Sequence, residues 1–356
     1  MIYLQDLSLT NYRCYKKRHF DFMPGINIIV GPNAIGKTSI VEAIHCLGFL
    51  RSHKAAQDEE MIRTGQEYAF VNGNFIRDDK KVEISLALTH KGKRIQSNGK
   101  AFRQLSEYLG FLEVVIFCPE DMSIVKGGPN LRRRFLDINL ALTDTKYFQS
   151  MSKYRRLLKQ RNEILKEMNR NGKYDMALLK IVTESMAQEA EAIVRFRNAF
   201  IAELNPLIEQ KSMQISKGRE SATLVYFPNC SDEIVEKMLK SIKIDIQAKT
   251  TTLGPHRDDF RIDLNGVAAA AFASQGQQRT SALALKLALA EYLKRRNEEI
   301  IILLDDVFSE LDKERQNELL KLINSDYQIF ITTTAIDNLS AEILEKSKII
   351  NIGREV

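Results

Sequence analysis

Gly31-Pro32-Asn33-Ala34-Ile35-Gly36-Lys37-Thr38-Ser39 decides how the remainder of the chain is read. It fits G-x-x-x-x-G-K-[ST], the pattern of a phosphate-binding loop. It also stands where such a loop must stand. The apolar run Ile26-Asn-Ile-Ile-Val30 predicts a strand before it, and Ile40-Val-Glu-Ala-Ile-His-Cys-Leu47 carries helical spacing after it. Gly31 and Gly36 let the backbone close around phosphate oxygens and aim N–H groups at them from a helix N-terminus. Lys37 supplies a point charge to the β- and γ-phosphates, and the Thr38 hydroxyl is placed to ligate Mg²⁺. A mere glycine turn with a surface lysine would not need strand, loop and helix to agree.

Outward from the loop, 356 residues give a prior of roughly two to three domains. With 44% hydrophobic and 28% charged residues the composition is that of a globular protein rather than a disordered one. No apolar run approaches the roughly 20 residues of a membrane helix. The opening Met1-Ile-Tyr-Leu-Gln-Asp6 has no basic segment followed by an apolar one, so no secretory signal is expected and the location expected is cytoplasmic. Cys14, Cys46, Cys118 and Cys230 are scattered without metal spacing and read as reduced thiols. The net charge of +6 permits a polyanionic partner without requiring one.

The periodicity divides the chain. Residues 1–125 are β-rich: Leu4, Leu7 and Leu9 with His19–Phe22 suggest an antiparallel pair. Glu67–Ile76 and Lys81–Thr89 alternate, with a hairpin closing at His90–Ile95, and Val114–Cys118 is a short buried strand. Residues 126–214 form a helical insert. Tyr147, Met151, Tyr154, Leu158, Leu165 and Met168 step by three and four, with Arg161 as the seam's one polar member. Leu179, Val182, Met186, Ala190, Ile193, Phe196, Phe200, Leu204 and Leu207 repeat the step. With Asn169–Lys173 as the turn, the arms should run about 35 residues each, roughly 50 Å. A third helix is expected around Asn130–Leu142. Residues 215–356 return to the head with Ala222–Phe227, Phe260–Leu264 and the hairpin signal Asn265-Gly266. Alternation then follows: helix 277–295, strand 300–304, helix 312–323, strand 328–332 and a last strand at 349–352. The layout is α/β, a mixed-sheet head with an inserted all-helical lobe. Ala268–Ala271 has no assignable purpose in the sequence.

Two further motifs carry chemistry. Ile300-Ile-Ile-Leu-Leu-Asp305-Asp306 is an apolar strand ending on paired acids, which needs a cation nearby. Beside a phosphate loop the first acid, Asp305, suits Mg²⁺, and Asp306 is placed to polarise an attacking water. Ser274-Gln275-Gly276-Gln277-Gln-Arg279 leads into the helix from Ser281, so a serine, a glycine and a helix N-terminus make either an anion site or an N-cap. Its position some 30 residues before the acidic strand, with Ser309-Glu-Leu-Asp312 after that strand, is the order of ATP-binding-cassette ATPases. In that class the signature of one subunit (here Ser274, Gln275, Gly276 and Gln277) caps the γ-phosphate held by the loop of another, so the site is complete only in a dimer.

The chain resembles the RecF family of bacterial DNA replication and repair proteins. Three stretches carry the resemblance: Leu7–Arg13, Pro119–Asp137 with its run Gly127-Gly-Pro129-Asn-Leu-Arg132-Arg133-Arg134, and Gly254-Pro-His-Arg-Asp-Asp-Phe260. The resemblance implies an ABC-type head related to those of SMC proteins, with a short helical lobe instead of a long coiled-coil arm. It implies ATP and Mg²⁺ as cofactors, an ATP-dependent homodimer, weak DNA-stimulated hydrolysis, and binding of gapped or double-stranded DNA. RecR (with RecO) would be the partners, in loading RecA for recombinational repair, replication restart and SOS induction. By position, Lys37, Asp305 and Asp306 are catalytic, Asn33 orients water, and Arg13 touches nucleotide phosphate.

Departures from the wider cassette class are informative. Asp306 is one methylene shorter than the usual Glu, consistent with weak hydrolysis. Thr332-Thr-Thr334 stands where a histidine is usual, so a γ-phosphate sensor would be a hydroxyl. No glutamine loop is evident, and Glu120 or Asp121 is the substitute. For DNA phosphates the candidates are Arg51, Lys54, Lys91, Lys93, Arg94, Arg132 and Arg133. A structural SMC-like scaffold and a transporter's nucleotide-binding subunit are the rival classes. The first normally has arms of hundreds of residues, and the second lacks the helical hairpin.

Overall fold

The computed structural model describes residues 2–103, 107–108, 111–171, 175–296, 300–308, 313–322, 327–336, 339 and 341–353. It divides into two compact units. One comprises Met1–Asp121, Gln214–Lys217 and Leu283–Val356; the other comprises Met122–Met213 and Gly218–Ala282.

The first unit holds two sheets. In the antiparallel one, β1 (Ile2–Tyr12) lies between β2 (Tyr15–Asp21) and β4 (Tyr68–Arg77), followed by β5 (Lys80–Thr89), β6 (Gly92–Ser97) and β7 (Lys100–Ala101). Along β1 the buried positions are even at Ile2 and Leu4 but odd at Leu7 and Leu9. The register against β4 shifts between Leu4 and Asp6, and this bulge turns the second half's apolar residues back to the same face. The other sheet is parallel throughout, in the order β14 (Ser347–Asn351), β3 (Ile26–Val30), β13 (Gln328–Thr333), β12 (Ile300–Asp305), β8 (Glu113–Phe117). The residues of β8, β12 and β13 are all buried, which is why their centres, Val114–Phe117, Ile300–Leu304 and Ile329–Ile331, read as apolar runs without alternation.

Helix α1 (Lys37–Phe49) sends Ile40, Val41, Ile44 and Leu47 into one core shared with Leu4, Leu7, Leu9, Phe75, Ile301 and Leu303. Gln328, fully buried on β13, imitates a strand partner. Its Oε1 accepts the Leu4 N–H at 2.6 Å, and its Nε2 donates to the Leu4 carbonyl at 2.7 Å. One side chain thereby satisfies both backbone groups of a residue in the antiparallel sheet. Among the described residues α10 (Lys313–Leu322) and α11 (Ala341–Glu345) complete this unit.

The second unit carries α2 (Met122–Lys126), α3 (Pro129–Thr143) and the hairpin of α4 (Thr145–Asn171) and α5 (Met176–Ser216). The arms are 27 and 41 residues long rather than equal, and Pro206 lies inside α5. Part of the expected turn, residues 172–173, lies outside the described residues. The unit's small sheet is β9 (Ala222–Phe227), β10 (Asp259–Leu264) and β11 (Val267–Ala268), with α6 (Ile234–Lys240), α7 (Ile242–Ala248), α8 (Ala269–Phe272) and the start of α9 (Gln275–Arg296). Asn265 and Gly266 both take positive φ, 49° and 82°, as a type I′ hairpin requires.

Residues 218–282, expected with the head, therefore group with the helices. The reason is electrostatic as well as apolar. Arg132 of α3 makes a two-pronged pair with Asp259 at 2.6 and 2.8 Å, and Arg197 of α5 pairs with Asp258 at 2.6 Å. Arg161, the polar member of the α4 seam, is fully buried and pairs with Asp245 of α7 at 2.8 Å. The alanine run also gains a purpose. Ala269–Ala271 open α8, and the carbonyls of Ala269 and of Ala273, just past the helix, accept from the buried Gln278 Nε2 at 3.0 Å.

Candidate nucleotide site

The phosphate loop joins β3 to α1 with Gly36 as the N-cap at φ 112°, a conformation only glycine adopts easily. A Cβ at Gly36 would stand 2.6 Å from Cys14 Sγ, and one at Gly31 would stand 2.7 Å from the Ile352 carbonyl oxygen. Both glycines are thus demanded by close approach as well as by phosphate. Ala34 takes φ 62°, a left-handed turn inside the loop. No side chain caps the N-terminus of α1, and its first turn carries no acid, so its N–H groups are left for an anion. Lys37 Nζ folds back onto the Gly31 and Pro32 carbonyls at 2.7 and 2.8 Å. Burial lowers its pKa, while Asp306 and Asp305 pull the other way. Pro32, Asn33 and Ala34 are exposed, and Ile35 and Ser39 partly so.

Because β3 and β12 flank β13 in a parallel sheet, the loop and the paired acids emerge at the same sheet edge. Thr38 Oγ1 donates to Asp305 Oδ1 at 3.0 Å. Thr332 of β13 donates to that same oxygen at 2.8 Å and accepts the Asp306 N–H at 2.9 Å. Asp305 is 1% exposed, and its Oδ2 makes no hydrogen bond. Asp306 takes φ 56°, leaving the strand by a strained turn. A hydroxyl and a buried carboxylate at contact distance suit a small hard cation. Among the described residues no group of three or more His, Cys, Asp or Glu forms a cage of its own. That is the pattern of Mg²⁺ held by two protein oxygens, with phosphate and water supplying the rest.

The loop after α1 adds residues that sequence reasoning did not place here. Lys54 Nζ lies 3.3 Å from Asp305 Oδ2 and 3.6 Å from Glu120 Oε1. Burial opposes its charge, but Asp305 and Glu120 raise its pKa overall. His53 is buried beside it with Nε2 4.0 Å from Asp305 Oδ2. Burial lowers the His53 pKa against the pull of Asp305 and Glu42. In the sequence Lys54 reads as a candidate for DNA phosphates, and His53 carries no signal of its own.

Several of the expected residues have partners within the chain. Lys54 lies against Asp305 and Glu120 at this pocket. Lys93 pairs with Asp58 at 2.7 Å and donates to the Leu50 carbonyl. Arg132 is committed to Asp259, and Arg133 to the Asp258 carbonyl at 2.7 Å. Arg51, Lys91 and Arg94 remain exposed. Arg13 does not turn to the loop. Its Nε and Nη2 grip Glu42 at 2.7 and 2.6 Å, and its Nη1 donates to the Glu60 carbonyl at 2.7 Å. Of the two substitutes for a glutamine loop, Asp121 pairs with Lys286 at 2.8 Å and accepts the Cys118 N–H, so only Glu120 faces the Lys54 side of the pocket. Thr333 donates to the Ala335 carbonyl and Thr332 to Asp305, leaving Thr334 as the exposed hydroxyl of the three.

In the other unit, Ser274 and Gln277 form a reciprocal capping box at the start of α9. The Gln277 N–H donates to Ser274 Oγ at 3.3 Å, and the Ser274 N–H donates to Gln277 Oε1 at 2.9 Å. Ser274 and Gln275 are exposed and Gly276 partly so. Ser309-Glu-Leu-Asp312 lies outside the described residues.

With this geometry in view, comparison with known proteins is direct. Residues 3–351 match the RecF/RecN/SMC N terminal domain family. The DNA replication and repair protein RecF of Macrococcus caseolyticus (strain JCSC5402) is 37% identical over 360 residues, covering 98% of each chain. That of Lactobacillus delbrueckii subsp. bulgaricus (strain ATCC 11842) is 38% identical over 364 residues, covering 99% of this chain and 96% of the other. A solved structure of the recombination mediator protein RecF with ATP, in the RecFOR pathway, superposes with a TM-score of 0.88 at 34% identity, covering 95% and 94% of the two chains. The Smc head domain from Pyrococcus furiosus, at 19% identity and a TM-score of 0.57, shares the fold. No helix among the described residues is long and apolar enough to cross a membrane. The chain belongs to the RecF family of DNA replication and repair proteins.

Proposed function

We propose that the chain is an ATP-dependent DNA-binding repair protein that dimerises around bound ATP and hydrolyses it slowly. The observation that carries this reading is the meeting of Thr38 and Asp305, from motifs at opposite ends of the chain, at 3.0 Å beside Lys37. Lys37 would leave the Gly31 and Pro32 carbonyls for the phosphates, and Thr38 and Asp305 would hold Mg²⁺. When bound, that ion supplies charge neutralisation at the β- and γ-oxygens. Asp306 polarises the attacking water, Asn33 and the Thr334 hydroxyl face it, and Lys54 and Glu120 border the pocket. Ser274, Gln275, Gly276 and Gln277 of a second copy complete the site from across the dimer, through the N-terminus of α9.

DNA, gapped or double-stranded, is the macromolecular ligand, bound through its phosphates by Arg51, Lys91 and Arg94. Solved relatives are described within the RecFOR pathway, which supports RecR and RecO as partners in RecA loading, with replication restart and SOS induction downstream. A purely structural scaffold is disfavoured by arms of only 27 and 41 residues. Sedimentation of the full chain with and without ATP, Mg²⁺ and gapped DNA tests the proposal. Wild type should shift from monomer to dimer with ATP alone and retain DNA, and Lys37→Ala should do neither. A nucleotide-independent sedimentation coefficient for an Asp306→Asn chain saturated with ATP would refute it.

A further inference from the structure

The loop following α1 is built more firmly than an exposed connection needs. Ser52 Oγ donates to Glu42 Oε1 and accepts the backbone N–H groups of Lys54 at 2.9 Å and Ala55 at 2.7 Å. Glu42 is in turn clamped by both arms of the Arg13 guanidinium. Arg13 comes from the end of β1 and Glu42 from α1, so two elements of the head fix the backbone on either side of residue 53.

What they hold in place is an imidazole without a hydrogen-bond partner. The His53 side chain is 7% exposed, and neither ring nitrogen makes a hydrogen bond within the described chain. Its Nε2 faces Asp305 Oδ2 at 4.0 Å, and that oxygen is itself without a hydrogen bond. Lys54 approaches the same oxygen as an ion pair at 3.3 Å. The His53 distance is too long for a direct bond, and polar groups at such spacing are commonly joined through water. Leaving a buried imidazole with neither nitrogen hydrogen-bonded is costly, and protein interiors rarely tolerate it. The other carboxylate oxygen, Oδ1, is already fixed by Thr38 and Thr332. Mg²⁺ sheds its water reluctantly and keeps several molecules in its shell, so the Oδ2 side of Asp305 is where such water would lie.

We propose that His53 is a positioning residue for the divalent cation, accepting a hydrogen bond from a water of its coordination shell on the Oδ2 side of Asp305. The role rests on the nucleotide-site reading above. It gives the Arg13–Glu42–Ser52 chain a purpose, which is to present the imidazole at a fixed distance from Asp305. It also makes His53 distinct from the groups that touch phosphate.

The test is a titration of Mg²⁺ into the full chain with a fluorescent ATP analogue, read by anisotropy, for wild type, His53→Ala and His53→Gln. Removing an outer-shell partner of a metal typically costs 10–100-fold in metal affinity, so the Mg²⁺ midpoint should rise by about that factor in His53→Ala. Nucleotide affinity measured in EDTA should stay within about twofold of wild type. His53→Gln keeps an acceptor and should recover much of the loss, and Mn²⁺ binding followed by its paramagnetic resonance should track the same order. An unchanged Mg²⁺ midpoint in His53→Ala overturns the proposal, leaving His53 as a packing partner of His45, whose ring lies 5.3 Å away. Equal weakening with and without Mg²⁺ overturns it too, because the residue would then act on phosphate or on the loop. Should the alanine variant fold poorly, His53→Gln decides alone against His53→Leu, which has no acceptor. Wild type that binds nucleotide without regard to Mg²⁺ would instead refute the underlying site reading.

Discussion

Arg197 of α5 donates through Nη1 to Asp258 Oδ2 at 2.6 Å, and neither side chain is more than 1% exposed. The same guanidinium reaches Asp137 at 2.8 Å and the Pro255 carbonyl at 2.8 Å, while Asp258 also accepts from Tyr226 and from the Asn229 N–H. A family-resembling stretch, Gly254–Phe260, is thereby spent on holding the second unit together. Truncating one member of such a buried pair strands the other charge. Arg197→Ala should cost about 3–5 kcal/mol of unfolding free energy. Lys153→Ala, which removes a surface pair with Glu189, should cost about 1 kcal/mol or less. Urea unfolding of both variants checks the contrast.

His256, in the same stretch, makes stability depend on pH. Its Nε2 faces the Thr251 carbonyl at 3.2 Å and so carries the proton, while Nδ1 accepts from Tyr154 Oη at 2.6 Å. The neutral ring is the one that fits. Burial, with Arg257 and Arg133 adding to it against Thr251 and Asp258, lowers its pKa to about 4 from an ordinary 6.5. Above pH 6.5 the ring is neutral folded or unfolded and contributes nothing. Between 6.5 and 4 the unfolded chain takes up a proton that the folded chain does not, so stability falls as pH falls. The full loss, reached near pH 4, is on the order of 3 kcal/mol. His256→Gln should flatten that part of the pH–stability curve, measured by thermal melting between pH 4 and 8.

Much of the head is legible in the sequence because its signals are local. Ile26–Val30, the glycine loop and Ile300–Asp305 declare themselves through apolar runs that end on chemistry, and the parallel sheet follows from them. Hidden from the sequence are side chains whose partners lie far away. Arg132 sits in a basic run that resembles a DNA patch, yet the Asp259 that neutralises it is 127 residues distant. Arg197 sits on the α5 seam as a charge with no local sign of burial. Lys54 and His53 are set against Asp305 only once α1 and β12 pack together. Periodicity reports which face of an element is buried; it does not report which charge waits on the other side.

Ser274 is asked to do two things, and they separate experimentally. Its hydroxyl caps α9, so Ser274→Ala should cost about 1 kcal/mol of stability. Its proposed role across the dimer is tested by complementation. Lys37→Ala and Ser274→Arg chains should each be inactive alone, since neither can set an intact loop against an intact signature. Mixed in equal amounts, a heterodimer holds one intact loop facing one intact signature at one of its two sites, so hydrolysis should reappear on mixing. Phosphate release after mixing checks it. Mixed activity no greater than the sum of the separate chains would place nucleotide, loop and signature within single copies.

Salt dependence separates the charges that reach DNA from those already committed. If Arg51, Lys91 and Arg94 each neutralise a phosphate, the plot of log affinity against log salt should lose about 0.9 of slope for each one replaced by alanine on duplex DNA. Replacing Arg132, which is occupied by Asp259, should leave that slope unchanged while lowering the melting temperature. Fluorescence anisotropy on one duplex at 50–300 mM salt, about the range where such slopes are linear, resolves changes of this size. Equal slopes for wild type and the Arg51, Lys91 and Arg94 variants would move the DNA surface elsewhere on the head, with Lys16 and Lys17, exposed on β2, the next groups to replace.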